Sequence, residues 1–238
     1  MHLLLARLAA ATLLTAFICE GKAAPAPSSQ CFGRVGLGRV SGAVQLPASG
    51  TNFLAYHSMG VRSGRTYVHA SVRDIVVDAY AAVATAMPAT MYEYGETGWQ
   101  SGGRFRPHRT HQAGISVDFM VPVRNAAGVS LALPATVFNQ FGYGWEFDDT
   151  GRAGGLRIDF DAMAAHLMAL KQAADAHHIA IDKVIFDPRL SLLLFKSSRG
   201  AELAATLPFM KQAPWIRHDE HYHVDFKLPC RPLAQFKQ

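Results

Sequence analysis

Between His218 and Leu228 the chain alternates in character. Tyr222, Val224, Phe226 and Leu228 are apolar, and His221, His223 and Asp225 stand between them. A period of two predicts a β-strand, with the apolar set on one face and the polar set on the other. The segment therefore has to lie beside other strands, and two imidazoles project together from a rigid element. Strand positions are seldom given to neighbouring bare histidines unless something binds both, and a metal ion is the commonest such ligand. His218 adds a third imidazole to the same short stretch.

A second cluster lies near the middle of the chain. The run Gly102-Gly-Arg-Phe-Arg-Pro-His108-Arg-Thr-His111-Gln-Ala-Gly114 leads into Ile-Ser-Val-Asp118-Phe-Met-Val. Gly114 allows a close turn, and Val117, Phe119 and Val121 alternate with Asp118 and Met120 as a buried strand. Asp118 is then a carboxylate inside an apolar strand, where an unpaired charge costs several kcal/mol, so a cation is expected opposite it. Two partners are open: an arginine among Arg104, Arg106 and Arg109, or a metal ion shared with His111 and a histidine of the late cluster. The second gives a His, an Asp and a His from two strands, a set that leaves one coordination position for water.

The rest of the chain reads as mixed α and β in one domain. Apolar residues recur at helical spacing from Val68 to Met87, stopped by Pro88, and again from Asp159 to His178, with Asp159 or Asp161 as a cap. The second helix accounts for His166, His177 and His178 without a functional role. Ile179 to Phe186 alternates like a strand, and a short helix is expected over Leu190 to Phe195 after Asp187-Pro188. Glu93, Glu96 and Trp99 fall in a loop ahead of the histidines, where a surface reading competes with substrate contact. Arg104 and Arg106 fit either a solvated loop or a grip on substrate carboxylates. Trp215 and Phe209 read as core packing rather than as a sugar platform, and His57 and His69 fall outside any pattern.

The first residues read as a targeting signal over 1–23: Arg7, then a short apolar run from Leu8 to Ile18, then small residues around Gly21-Lys-Ala23. About eleven apolar residues are too few to span a bilayer, so the segment is read as removed, with export to the periplasm. Cys19 raises the alternative of a lipoprotein, against which Phe17 and Ile18 are bulky where a small residue is wanted. Loss of Arg7, Lys22 and Glu20 takes the chain from 23 basic and 18 acidic side chains to 21 and 17. That mild excess comes without a Lys/Arg cluster interleaved with aromatics, so no nucleic-acid face is expected. Cys31 and Cys230 remain, and in an exported chain an even pair is most simply a disulfide, with two buried thiols as the alternative.

Other hydrolytic machinery is missing from the sequence. There is no Ser-x-x-Lys, no Gly-x-Ser-x-Gly and no His-Glu-x-x-His. Hydrolysis would have to be built on the scattered His/Asp set.

Those residues resemble a known group. His111-x-x-Gly114-x-x-x-Asp118, followed about a hundred residues later by His221-x-His223, is similar to the signature shared by lysostaphin-type endopeptidases, D-alanyl-D-alanine metallopeptidases and the hedgehog signalling domain. The wider context, Gly102-Gly-Arg-Phe, His108-x-x-His111-Gln-x-Gly and Trp215-x-x-His218-x-x-His221-x-His223-Val224, resembles the penicillin-insensitive murein endopeptidases. The likeness runs from about Cys31 to Cys230, although the extra disulfides and basic tails of that family are missing. It implies an α+β fold, with a small antiparallel sheet carrying a zinc site and helices and long loops around it, over 24–238. It further implies that His111, Asp118 and His223 hold Zn2+, with His108 either a ligand or facing substrate. His221 would be the general base, and His218 would orient it or stabilise the oxyanion. The implied partner is peptidoglycan, cut at D-alanyl-diaminopimelate-type cross-links by a metal-activated water. A D,D-carboxypeptidase, or a zinc-containing binding module without turnover, stands as the alternative.

Overall fold

The alternating segment forms the strand His221–Lys227, and the computed structural model, which describes residues 28–136, 138–139 and 141–237, places it inside a five-stranded sheet. The leader read over 1–23 lies outside the described residues. His221–Lys227 pairs antiparallel with Ala180–Ile185 on one side and Ser116–Met120 on the other. Tyr92–Tyr94 continues the sheet antiparallel to Ser116–Met120, and Phe53–Ala55 closes the edge. The α+β architecture is as expected, except that this edge pair is parallel and the sheet is mixed. A parallel pair needs a crossover, and the helix Ala70–Ala86 supplies it between Phe53–Ala55 and Tyr92–Tyr94.

Each face of the sheet has its own covering. Val117, Phe119, Tyr222, Val224 and Phe226 join one hydrophobic core with the helices Ala70–Ala86 and Phe160–Ala176. The predicted helices thus form, shortened to their capping residues. Asp159 accepts the N–H of Ala162, and His69, which the sequence left without a role, accepts the N–H of Ser71. His166 is core, as expected: it stacks on Tyr80 at 4.8 Å and its Nδ1 meets the Tyr222 hydroxyl at 2.6 Å. Burial lowers its imidazole to about 3, so it stays neutral among apolar neighbours.

The other face carries Ser116, Asp118, Met120, His221, His223 and Asp225, and loops cover it. The chain between Asp118 and Asp159 builds a separate small sheet from Val123–Arg124, Ser130–Leu131, Arg152–Ala153 and Leu156–Ile158. From it the loop carrying Phe141 and Tyr143 reaches over the polar face. Two short helices, Ser58–Arg62 and Gly200–Thr206, had no sequence signal. No helix of the described residues is long and apolar enough to cross a membrane.

The ends of the described chain are joined. Gln30–Arg34 and Leu37–Ser41 form a hairpin, and Cys31 in it is bonded to Cys230 just beyond the final strand. Backbone hydrogen bonds from Arg231 to Cys31 and from Gly33 to Arg231 hold the same junction. A cross-link separated by 199 residues contributes about 5 kcal/mol in the chain-entropy account. It fixes the C-terminal end of the histidine-bearing strand.

Glu93 shows how much polarity this sheet tolerates. It is buried in Tyr92–Tyr94 and accepts the N–H of Leu133 at 2.5 Å, tying the main sheet to the segment that leaves Ser130–Leu131 of the small sheet. Burial raises its carboxyl to about 8, with the Leu133 hydrogen bond opposing. An unfolded glutamate titrates near 4.3, so between about pH 4.3 and 8 the folded chain holds a proton that the unfolded chain has lost. Stability therefore falls as pH rises through that window. Glu93→Gln, which keeps an acceptor for Leu133 and removes the ionisation, is expected to flatten the fall in melting temperature between pH 5 and 8. An unchanged slope would show that Glu93 ionises freely in the fold.

Candidate active site

The register of the two central strands sets His223 directly opposite Asp118. His223 Nδ1 lies 2.7 Å from Asp118 Oδ1, and its Nε2 lies 2.6 Å from Asp225 Oδ1, which also accepts from Ser116 Oγ at 2.6 Å. His111 arrives from the glycine-rich loop. Gly114 turns at φ 68°, where an added Cβ would sit 3.1 Å from Val40 Cγ1. His111 itself has φ 67°, a left-handed backbone that costs a non-glycine residue about 1–3 kcal/mol and is held only where the surroundings enforce it. Here they do: its ring is fully buried and its Nδ1 meets the Thr97 carbonyl at 3.1 Å. That contact places the proton on Nδ1 and leaves Nε2 as a bare lone pair.

His111 Nε2 is 3.2 Å from Asp118 Oδ2 but is not aligned for a hydrogen bond, and it has no other partner. His108 approaches the same oxygen, Nδ1 to Oδ2 3.4 Å, while Glu96 Oε2 holds its Nε2 at 2.9 Å. The ligand atoms of His108, His111 and Asp118 lie within 4.8 Å of one another. This group fits a metal ion. A buried acceptor without a donor is rare because it forfeits a hydrogen bond, and a cation satisfies it together with the carboxylate. Each surrounding imidazole also hands its far nitrogen to an oxygen: Thr97 for His111, Glu96 for His108 and Asp225 for His223. That is the outer arrangement by which metal-bound histidines are oriented.

The alternative of an arginine opposite Asp118 is not realised. Its ion-pair neighbours among the described residues are His108, His111 and His223. Burial alone would raise the Asp118 carboxyl, but the imidazoles hold it well below the usual range. Burial lowers His111, so it is neutral as a ligand must be. For His223 burial is outweighed by the Asp225 and Asp118 carboxylates, which carry the imidazole up to about 10. A proton or a metal ion can thus bridge His223 Nδ1 and Asp118.

His221 points from the same face, two positions along. Its Nδ1 is 2.9 Å from Glu220 Oε1, and its ring lies 4.5 Å from that of His218. Burial lowers His221 to about 4 and His218 to about 3, so both are neutral proton acceptors at pH 7. His218 Nδ1 is engaged by the Ile216 carbonyl at 2.8 Å. All six residues singled out in the sequence therefore converge. His221, His108 and Asp118 line one cleft with Tyr56, Glu96 and Phe141, and His218 lines an adjoining one with His108, Asp118, His223 and Tyr143.

Thr97 carried no sequence signal, since it acts through its backbone carbonyl, and Glu96, read as surface or substrate-facing, instead holds His108 from 12 residues away. Glu93 and Glu96 are not surface residues: Glu93 is buried, and the Glu96 side chain is 11 % exposed and paired with Arg65. Tyr143, which carried no sequence signal, comes from the loop between Ser130–Leu131 and Arg152–Ala153, with its ring 6.0 Å from His221. Trp215 was expected in the core and is instead 47 % exposed, at the mouth of the site 6.0 Å from His218. The strand alternation that places His221 does not extend to it, and an aromatic outside a periodic segment gives no sign of its facing.

No curated protein matches the chain. The family model described as penicillin-insensitive murein endopeptidase matches residues 31–235, from the hairpin cysteine past the last strand, and the chain belongs to that family.

Proposed function

We propose that this protein is a zinc-dependent endopeptidase that hydrolyses D-alanyl-diaminopimelate-type cross-links of peptidoglycan. The observation that carries the reading is the lone pair of His111 Nε2, buried without a partner beside the Asp118 carboxylate. His111, Asp118 and His223 would hold the ion through Nε2, a carboxylate oxygen and Nδ1. Two imidazoles and a carboxylate suit zinc and leave coordination open for substrate or water. His108 contributes from the rim, since its side chain is 10 % exposed and faces the cleft.

Zinc bound there would polarise the amide carbonyl and lower the pKa of water to about 7. The protein's own groups supply the proton handling. Glu220 engages His221 at Nδ1, which leaves Nε2 to take the proton of the attacking water and to return it to the leaving amine. His218 stands beside His221 with its Nδ1–H given to the Ile216 carbonyl, so its free Nε2 can only accept, and it serves to orient the base or the attacking water. Burial keeps both imidazoles neutral, so an acceptor is available at pH 7. The Cys31–Cys230 disulfide agrees with an oxidising compartment, which supports export by the 1–23 leader and a periplasmic site of action.

Two outcomes test this reading. Digestion of purified cross-linked peptidoglycan, followed by mass spectrometry, is expected to convert dimeric muropeptides to monomers, to stop with a chelator and to resume with zinc. Release of terminal D-alanine alone would make the enzyme a carboxypeptidase, and chelator-insensitive cleavage would remove the metal from the account. Among variants, His111→Ala, Asp118→Ala and His223→Ala are each expected to abolish stoichiometric zinc, and His108→Ala to weaken binding by about 10–100-fold. His221→Ala is expected to keep zinc and lose about 10²–10⁴-fold in turnover. Full zinc occupancy in the first three variants would refute the ligand set.

A further inference from the structure

The segment Arg104–Arg109 sets exposed arginines on either side of a buried anchor. Phe105 is fully buried, with its ring 5.2 Å from Trp99 and stacked 5.3 Å from His108, and the Arg65 guanidinium lies 4.3 Å over it. The flanking backbone is tied down on both sides. Trp99 Nε1 donates to the Arg104 carbonyl at 3.2 Å, and Arg65 donates to the Arg106 carbonyl at 2.7 Å. From this pinned backbone Arg104, Arg106 and Arg109 reach an open groove of about 800 Å³, which they line with Gln112, His108 and Phe141. His108 and Phe141 also line the cleft over Asp118 and His221, so the groove adjoins the cleft.

The charges in the groove are uncompensated. Arg65 is neutralised by Glu96, but among the described residues no carboxylate lies within 4.0 Å of Arg104, Arg106 or Arg109. Arg109 instead rests 5.5 Å over the exposed ring of Trp215, the residue beside His218. Three guanidinium groups around one concavity raise its local potential and attract anions. Their planar forks suit carboxylates, and a fixed backbone lowers the ordering cost of binding.

We infer that this groove is a subsite for the free carboxylates of the peptide strand that enters the cleft beside His108, with Arg104, Arg106 and Arg109 as the groups that bind them. The inference rests on the peptidase reading above, because stem peptides carry free carboxylates on either side of a cross-link. It adds a preference: acidic stems are favoured over stems whose carboxylates are amidated.

The test compares the full-length protein with Arg104→Gln/Arg106→Gln/Arg109→Gln on a cross-linked stem-peptide dimer bearing free carboxylates and on its amidated counterpart. On the acidic dimer KM is expected to rise about threefold per arginine and about 30-fold for the triple variant, in keeping with exposed ion pairs, while kcat changes less than twofold. On the amidated dimer the two proteins should share one KM. Added salt should raise KM for the wild type on the acidic dimer and leave the variant's nearly flat. An equal KM on the acidic dimer, or the same rise on both dimers, overturns the inference. Calorimetric titration with the uncross-linked acidic tetrapeptide needs no turnover. Binding that weakens in the triple variant supports the subsite, and equal binding by both proteins rejects it. A wild type that binds the acidic peptide through these arginines but cleaves neither dimer would leave the groove assigned and the peptidase reading refuted. Matching thermal melts establish that the variants fold, and Arg106→Gln alone carries the comparison if the triple variant does not.

Discussion

Asp118 carries its carboxylate in the middle of the main sheet, where a lone charge would cost several kcal/mol. Three imidazoles close on it: His223 from the neighbouring strand, and His108 and His111 from the glycine-rich loop. The pairing register that sets His223 against Asp118 also puts His221 and Asp225 on the same face, so one choice of strand alignment assembles the site. A slip of one residue would turn that face toward the helices and present Tyr222 and Val224 in its place. The aromatic packing of Phe119, Tyr222 and His166 behind the sheet excludes that slip. Core packing on one face thus fixes the chemistry on the other.

A second layer of oxygen atoms then decides what each imidazole can do. Thr97 and Glu96 turn His111 and His108 toward Asp118, and Asp225, held by Ser116, braces His223. Glu220 does the same for His221, the group proposed to move the proton. Several of these carboxylates are themselves buried, and burial raises Glu220 to about 7. Such groups weaken a fold, and their presence together with a left-handed His111 marks the region where stability is given up for function. The disulfide and the continuous core behind the sheet offset that weakness.

Much of this was legible in the chain because it is periodic. Alternation from His221 to Leu228 gave the strand and its facing, the helical stripes gave the two long helices within their caps, and a polar residue breaking an apolar run marked Asp118. The motif glycines and histidines then tied the two clusters together through a resemblance. Periodicity says nothing of contacts between segments far apart, which is why Tyr143 and the Glu96–His108 and Glu93–Leu133 links went unread and Trp215 was placed in the core. Strands of three residues, such as Phe53–Ala55 and Tyr92–Tyr94, are too short to show a period, so the parallel edge of the sheet also went unread.

If the cluster around Asp118 is a metal centre, anomalous scattering will show it without reference to turnover. Diffraction from crystals of the zinc-loaded protein, collected above and below the zinc absorption edge, should show one strong peak about 2.0–2.2 Å from His111 Nε2, His223 Nδ1 and an Asp118 carboxylate oxygen. A cluster without a peak, with His223 Nδ1 still hydrogen-bonded to Asp118, would contradict it.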